Sequence, residues 1–174
     1  MNQRVKRMTT ITMLLAMSIL FHMIEAMIPI PLPVPGVKLG FANIVGLIAY
    51  YLFGFKVMIG MNLTRVIIAS LLRGTLFGTA FWLSMGGVLL SSLAMAAFAK
   101  GSKMTVIGVS MACATFHCIG QILVAMGIIN TVLMIYYLPI MLILSIPTGI
   151  FTGVVAKQVL QRMGGSKKWN MNKK

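Results

Sequence analysis

The sequence predicts an all-α integral membrane protein with six transmembrane helices, organised as a single membrane domain over residues 1–174. Three observations support this class: 59% of residues are hydrophobic, mean hydropathy is +0.99, and apolar runs reach the roughly 20 residues needed to span a bilayer. Only 9% of residues are charged, whereas an ordinary soluble protein has about a quarter. A chain with so few charges cannot cover a water-facing surface, so we expect the apolar runs to face lipid.

Short breaks that carry turn or charge signals separate the six apolar runs. The breaks lie at Pro29 to Gly36, Gly54 to Lys56, Arg73-Gly74, Lys100 to Lys103 and Asn130. They predict helices over residues 8–28, 39–55, 57–73, 75–99, 104–129 and 131–155, followed by a basic cytoplasmic tail over 156–174. The first run follows basic residues as a signal peptide does, but it is long and lacks a small-x-small cleavage site, so we expect a retained helix.

The loop after the first helix, Pro29 to Gly36, alternates prolines with apolar residues. Proline removes backbone donors and favours extended polyproline geometry. Such a segment is either a rigid connector or a wall over a pocket, and the sequence favours neither.

The distribution of basic residues predicts that both termini are cytoplasmic. In that orientation twelve of the fifteen Lys and Arg residues lie inside, Lys38 and Arg73 lie outside, and Arg65 lies within a span. Cytoplasmic loops of membrane proteins carry such an excess, and the bias also requires an even number of spans. We expect a multi-pass protein of the cytoplasmic membrane whose tail rests near anionic lipid headgroups. Because the basic residues punctuate apolar runs, they do not indicate a nucleic-acid partner.

The chain has a single acidic residue, Glu25, and a net charge of +14. The absence of Asp excludes a DDxxD metal–diphosphate motif, and a lone carboxylate excludes hydrolysis by a carboxylate pair. The sequence also has no Walker A loop and no GxSxG motif. We therefore expect a non-enzymatic protein that binds no metal or other cofactor and has no ATP-driven motor of its own.

Polar residues within the spans predict a substrate-binding site in the outer half of the membrane. At about 1.5 Å per residue, sequence offset converts into depth, and most of the strongly polar groups share that half. Two of them, on helix 5, are four residues apart and therefore share a helix face. We expect a pocket between helices 1, 2, 3 and 5. The candidate residues are Glu25, Asn43, Arg65, His117 and Gln121 in the pocket, with Lys38 and Arg73 at its mouth.

Each candidate also has a structural alternative. The polar pair on helix 5 can hydrogen-bond across helices, and Lys38 and Arg73 can be interfacial anchors. Arg65 lies at mid-depth, where a cation needs a partner, which Glu25, a bound anion or a carbonyl-lined site can supply. If Glu25 neutralises one cation, surplus positive charge remains. We therefore expect the ligand to be a small anionic or amphiphilic molecule.

The chain also resembles a known bacterial family over nearly its whole length. The motifs that carry the resemblance are Glu25, Lys38-Leu39-Gly40-x-x-Asn43, Arg65, Arg73-Gly74, Ser84-x-Gly86-Gly87, Gly108-x-Ser110, His117-x-x-Gly120-Gln121, Leu138-Pro139 and Gly149-x-x-x-Gly153. They resemble the family called heptaprenyl diphosphate synthase component I, or Gx transporter. Its members are similar to the six-helix S-components of energy-coupling-factor importers. Many S-components carry an A-x-x-x-A docking patch in helix 1, which is absent here because Leu20 follows Ala16 at that spacing.

The resemblance implies two different functions. The transporter name implies an S-component-like bundle that captures a small molecule from outside and is energised by a separate ATPase module. The synthase name implies a non-catalytic membrane subunit that assists a prenyl synthase catalytic subunit in making the menaquinone side chain. We favour capture and transport because the polar cluster faces outward. A membrane scaffold for a redox or biosynthetic complex is a third alternative.

Overall fold

The computed structural model describes residues 2–27, 40–101 and 104–163, and within these ranges the chain is helical and has no strand. The all-α fold class is therefore confirmed. The elements are α1 (Gln3–Glu25), α2 (Asn43–Phe53), α3 (Phe55–Leu72), α4 (Thr79–Gly101), α5 (Val106–Ile129), a 3-10 helix (Val132–Tyr137) and α6 (Leu138–Arg162).

Five helical elements in the described ranges are long and apolar enough to cross a membrane, namely α1, α3, α4, α5 and the continuous Val132–Arg162 segment. The exception is α2, whose 11 residues extend roughly 16 Å, about half of a hydrocarbon core. Its predicted start at residue 39 is wrong because Gly40 has a left-handed φ of 89°, which an α-helix does not accommodate. The count of six spans and the cytoplasmic position of both termini stay predictions.

The ends of the chain are more helical than the sequence predicts. α1 begins at Gln3 rather than residue 8, because the side-chain oxygen of Asn2 caps it by accepting from the N–H of Arg4 at 3.5 Å. α6 continues to Arg162 rather than ending at 155. Residues 156–162 are therefore helix and not tail, since Ala, Lys, Gln, Leu and Arg in this stretch are good helix formers.

The segment before α4 also departs from the prediction. α4 begins at Thr79 and not at residue 75, because Gly74 and Phe77 have φ values of 65° and 62°. Left-handed residues at two positions make a turn and prevent an earlier helix start. Gly74 is a natural residue for this conformation, whereas Phe77 gives no such signal in the sequence.

Glycines bring α4, α5 and α6 into close contact. A Cβ built on Gly120 of α5 would lie 2.4 Å from the carbonyl oxygen of Gly86 in α4. Cβ atoms on Gly149 and Gly153 of α6 would each lie 2.8 Å from a Cα of α5, those of Met111 and Ile107. Small residues allow this backbone approach in membrane proteins, so α4, α5 and α6 form a tightly packed unit.

α2 and α3 form a helical hairpin about Gly54, which has φ 88° and separates the two helices. Residues at equal sequence distance from Gly54 therefore face each other at similar depth. Asn43 and Arg65 are one such pair, and Gly46 and Asn62 are another. A Cβ on Gly46 would lie 2.9 Å from Oδ1 of Asn62, which shows how close the helices are.

The largest apolar cluster lies towards the end of the bundle where α5 begins and α6 ends. It includes the buried residues Leu14, Leu47, Met58, Val109 and Ala156 from five helices. The buried polar side chains described next lie beyond it, towards the end of α1 and the start of α2.

Candidate ligand-binding site

Arg65 of α3 is the centre of a buried polar cluster and is only 1% exposed. Its Nη1 donates to the backbone oxygen of Ala42 and to Oγ of Ser18 at 3.3 Å, and its Nη2 donates to Oδ1 of Asn43 at 3.5 Å. These acceptors are neutral oxygens from α1 and from the start of α2. The third nitrogen, Nε, has no hydrogen-bond partner within the described part of the chain.

The hairpin geometry explains these contacts. Because α2 is short, its first residues lie level with the middle of α3, so the turn before α2 presents the carbonyl of Ala42 to Arg65. Of the partners that the sequence allowed for Arg65, the structure provides the carbonyl-lined environment. Glu25 adds a favourable electrostatic interaction with the guanidinium.

Glu25 lies at the last position of α1 and is 3% exposed. Its Oε1 accepts hydrogen bonds from the backbone N–H groups of Gly40 and of Phe41, the latter at 3.0 Å. Glu25 shares the buried face of α1 with Ser18 and His22, which follow the helical spacing of four and three residues. The only acidic residue of the chain thus joins α1 to the turn before α2.

Asn43, the first residue of α2, extends the cluster from Arg65 towards α5. Its Oδ1 accepts from Arg65, and its Nδ2 is buried with no acceptor among the residues that the structure describes. Gly40 lies between Asn43 and α5: a Cβ on Gly40 would lie 2.9 Å from Asn43 Nδ2 and 3.4 Å from Cδ2 of His117. The absence of a side chain at Gly40 therefore lets Asn43 and His117 approach each other.

His117 and Gln121 form the α5 side of the cluster. Both are buried, and Nε2 of Gln121 lies 3.1 Å from Nε2 of His117. Gly87 of α4 packs directly against them, since a Cβ there would lie 2.7 Å from Cε1 of His117 and 3.0 Å from Cγ of Gln121. The imidazole therefore lies between two glycines, Gly40 in the turn before α2 and Gly87 in α4.

Five of the seven predicted site residues are thus buried in one region: Glu25, Asn43, Arg65, His117 and Gln121. Arg73 is exposed at the C-terminal end of α3, roughly 12 Å along the helix axis from Arg65. Lys38 lies outside the described residues. Whether any of the seven binds a ligand stays a prediction.

The sequence does not single out two features of this region. One is Ser18, whose hydroxyl accepts a hydrogen bond from Arg65. The sequence pattern that indicates Ser18 is its position one helical turn before His22, on the same helix face. The other is a second polar contact between α3 and α4, in which Nδ2 of Asn62 donates to Oγ of Ser92 at 3.0 Å. Asn62 faces Gly46 across the hairpin. In the sequence, the equal distance of these two residues from Gly54 is the pattern that indicates this contact.

The chemistry of the cluster favours a ligand that accepts hydrogen bonds. A permanently charged guanidinium and an amide NH₂ group each have a buried donor without an acceptor within the described ranges, and a buried donor without a partner costs about 1–3 kcal/mol. In the same ranges no three His, Cys, Asp or Glu side chains lie close enough to hold a metal ion. The cluster therefore has two hydrogen-bond donors, one of them on a charged group, that suit the oxygens of an anion.

Comparison with protein families adds an independent finding. The chain matches the family described as heptaprenyl diphosphate synthase component I over residues 14–159. It belongs to that family. The part of the chain that matches the component I family contains all seven predicted site residues and ends three residues before the end of α6. No curated protein and no solved structure matches the chain.

Proposed function

We propose that the chain is a membrane-embedded binding component that captures a small anionic or amphiphilic molecule for transport, similar to the S-component of an energy-coupling-factor importer. The observation that carries the proposal is the pair of buried donors, Nε of Arg65 and Nδ2 of Asn43, that have no acceptor in the described ranges. The two residues contact each other through Nη2 and Oδ1, so one anionic group can accept from both.

Arginine suits this role for physical reasons. Its guanidinium is always charged, and its planar donors match the oxygens of a carboxylate or a phosphate. Hydrogen bonds in which one partner is ionised are about twice as strong as neutral ones. Because Arg65 is already surrounded by neutral oxygens in a buried site, an incoming anion would gain most of that interaction energy without competition from water.

The remaining residues supply the walls and the polarity of the pocket. Glu25 balances part of the positive charge, while His117 and Gln121 provide an imidazole and an amide on the α5 side of the cluster. Lys38 and Arg73 are assigned to the mouth, where they attract anions. In this proposal the pocket opens to the outside of the cytoplasmic membrane, both termini are cytoplasmic, and an ATPase module energises import.

The family name favours a second candidate function. As a component I, the chain would be a non-catalytic subunit that associates with a prenyl synthase catalytic subunit in heptaprenyl diphosphate synthesis. The lack of Asp favours a non-catalytic role, because metal-assisted diphosphate chemistry uses clustered carboxylates. Co-purification with an ATPase module supports import, whereas dependence of a soluble prenyl synthase on this chain supports the second function.

Native mass spectrometry of the full-length protein in detergent tests the binding site directly. We expect a retained small molecule with the wild-type chain and none with Arg65→Gln, because the amide has no charge and cannot replace the guanidinium. Lys56→Gln is the matched control, since it removes one positive charge from an exposed position on the same helix. Thermal unfolding of each variant verifies that the protein is folded.

Competition experiments test the class of ligand. Acidic compounds should displace the retained molecule more effectively than neutral analogues of the same size. Equal retention by the wild type and by folded Arg65→Gln would contradict the assignment of the site, and a strict preference for cations would contradict the proposed function.

A further inference from the structure

A second polar site lies at the opposite end of the bundle from the Arg65 cluster. Here the start of α1 and the ends of α2 and α6 border an open cavity of about 260 Å³. The cavity is lined by Gln3, Lys6, Arg7, Thr10, Leu52, Phe53 and Met163. None of these residues belongs to the candidate ligand-binding site.

The α1 wall of this cavity is a polar face on a membrane helix. Gln3, Lys6, Arg7 and Thr10 follow the spacing of three and four residues that places side chains on one helix face. The neighbouring residues Val5 and Met8 are exposed and apolar, as expected for a helix at a lipid boundary. Gln3, Lys6, Arg7 and Thr10 thus form the polar wall that α1 contributes to the cavity.

The opposite wall is apolar and aromatic. Phe53 and Leu52 are the last residues of α2, and the guanidinium of Arg7 lies over the ring of Phe53, 5.9 Å from its centroid. A cation–π contact of this kind holds the charged group in place while its donors stay available. The cavity therefore combines two positive charges with an apolar surface beside them.

Among the residues that the structure describes, no acidic side chain neutralises the positive charge at this end. Glu25 is the only acidic residue, and it lies at the other end of α1, roughly 28 Å from Lys6 along the helix axis. That distance exceeds the Debye length of about 8 Å at physiological ionic strength. Within the described residues, the charged side chains that line the cavity, Lys6 and Arg7, are both basic.

We propose that this cavity binds the headgroup of an anionic phospholipid. Lys6 and Arg7 would pair with the phosphate, Gln3 would donate a hydrogen bond to the headgroup, and Leu52 and Phe53 would contact the first methylenes of the acyl chains. A lipid headgroup is favoured over a free anion as the ligand because the cavity lies at the ends of membrane helices and has an apolar wall. Basic pockets between transmembrane helices are known to select such headgroups.

Native mass spectrometry with defined lipids tests the proposal. The full-length protein is titrated with phosphatidylglycerol, phosphatidylcholine or inorganic phosphate. We expect the first binding step to favour phosphatidylglycerol over phosphatidylcholine. The Lys6→Gln/Arg7→Gln variant should weaken that step about 25-fold, because each basic residue beside an anionic headgroup contributes a factor of about five.

The Lys56→Gln/Lys100→Gln variant is the matched control. It removes the same charge from two exposed positions that do not line the cavity, and it should leave phosphatidylglycerol binding unchanged. Lys6→Gln alone is the second test variant, since Lys6 is exposed, and it should weaken binding about fivefold in a protein with unaltered thermal unfolding.

Three results would overturn the proposal. They are equal binding of the two lipids, equal loss in both double variants, and displacement of phosphatidylglycerol by an equal concentration of inorganic phosphate, which would identify a soluble anion as the ligand. These results are independent of the Arg65 site, whose retained molecule should be the same in all of these variants.

Discussion

The carboxylate of Glu25 accepts a hydrogen bond from the backbone N–H of Gly40 and thereby joins the end of α1 to the turn before α2. The same oxygen accepts from the N–H of Phe41. Buried backbone donors need acceptors, so the single acidic residue has a structural function in addition to balancing Arg65. The two functions can be separated by substitution.

Glu25→Gln should destabilise the fold less than Glu25→Ala does. The amide keeps one acceptor oxygen for the two N–H groups, whereas Ala leaves the buried N–H of Gly40 and the partly buried N–H of Phe41 without it. A buried donor without an acceptor costs about 1–3 kcal/mol. Thermal unfolding in detergent measures the difference. If the two variants unfold at the same temperature, the backbone contacts of Glu25 do not stabilise the fold.

Gly87→Ala should displace the ring of His117, because its Cβ would lie 2.7 Å from Cε1. Overpacking of this kind costs about 1–3 kcal/mol. The chain has 2 histidines, so NMR of selectively labelled histidine gives two ring signals. We expect the His117 signal to move and the His22 signal to stay.

Gly60→Ala is the control for that experiment. A Cβ on Gly60 in α3 has no atom within 4 Å, and replacing a helical Gly by Ala gains up to about 1 kcal/mol. It should leave both histidine signals in place. A shift of the His117 signal in this control as large as that in Gly87→Ala would show that the signal reports global change and not local contact.

Gly120→Ala should disrupt the contact between α4 and α5. The added Cβ would meet the carbonyl oxygen of Gly86 at 2.4 Å, and two backbones cannot move apart without loss of packing. We expect unfolding to occur at lower temperature, with a loss of about 1–3 kcal/mol or more. Gly127→Ala lies in the same helix with no atom within 4 Å of the new Cβ and should be neutral or stabilising.

The hydrogen bond between Asn62 and Ser92 should contribute a small coupling energy. Double-mutant cycles in membrane proteins give about 0.6 kcal/mol for such bonds. The cycle compares Asn62→Ala, Ser92→Ala and the double variant by reversible unfolding. A coupling energy of zero would mean that Met58, whose sulfur lies 3.1 Å from the same amide nitrogen, is the more important partner.

The order and type of the helices could be predicted because hydrophobicity and break residues report directly on membrane burial. The helix ends could not, since they depend on local backbone conformation. Gly40 and Phe77 both have positive φ values, yet only glycine signals that conformation. The short length of α2 follows from Gly40, and the late start of α4 follows in part from Phe77.

Part of the candidate site could also be predicted. Arg65 and Glu25 could be predicted as site residues because charged side chains within apolar runs are costly in free energy in a membrane. The partners of Arg65 were harder to predict, because a backbone oxygen such as that of Ala42 has no sequence signature. Ser18 gives only a weak signal, because serine is common in membrane helices and forms local hydrogen bonds there.

The glycine contact between α4 and α5 has a mechanical consequence for the polar cluster. On that side the backbones of Gly86 and Gly120 leave no space for compression, so the cluster has one stiff wall. On the other side is α1, which is less buried than α4. In the most apolar 18-residue stretch of α1, 22% is buried, against 50% in that of α4. If Arg65 binds a ligand as proposed, we expect the ligand to enter by displacement of α1 and the start of α2, on the flank away from α4.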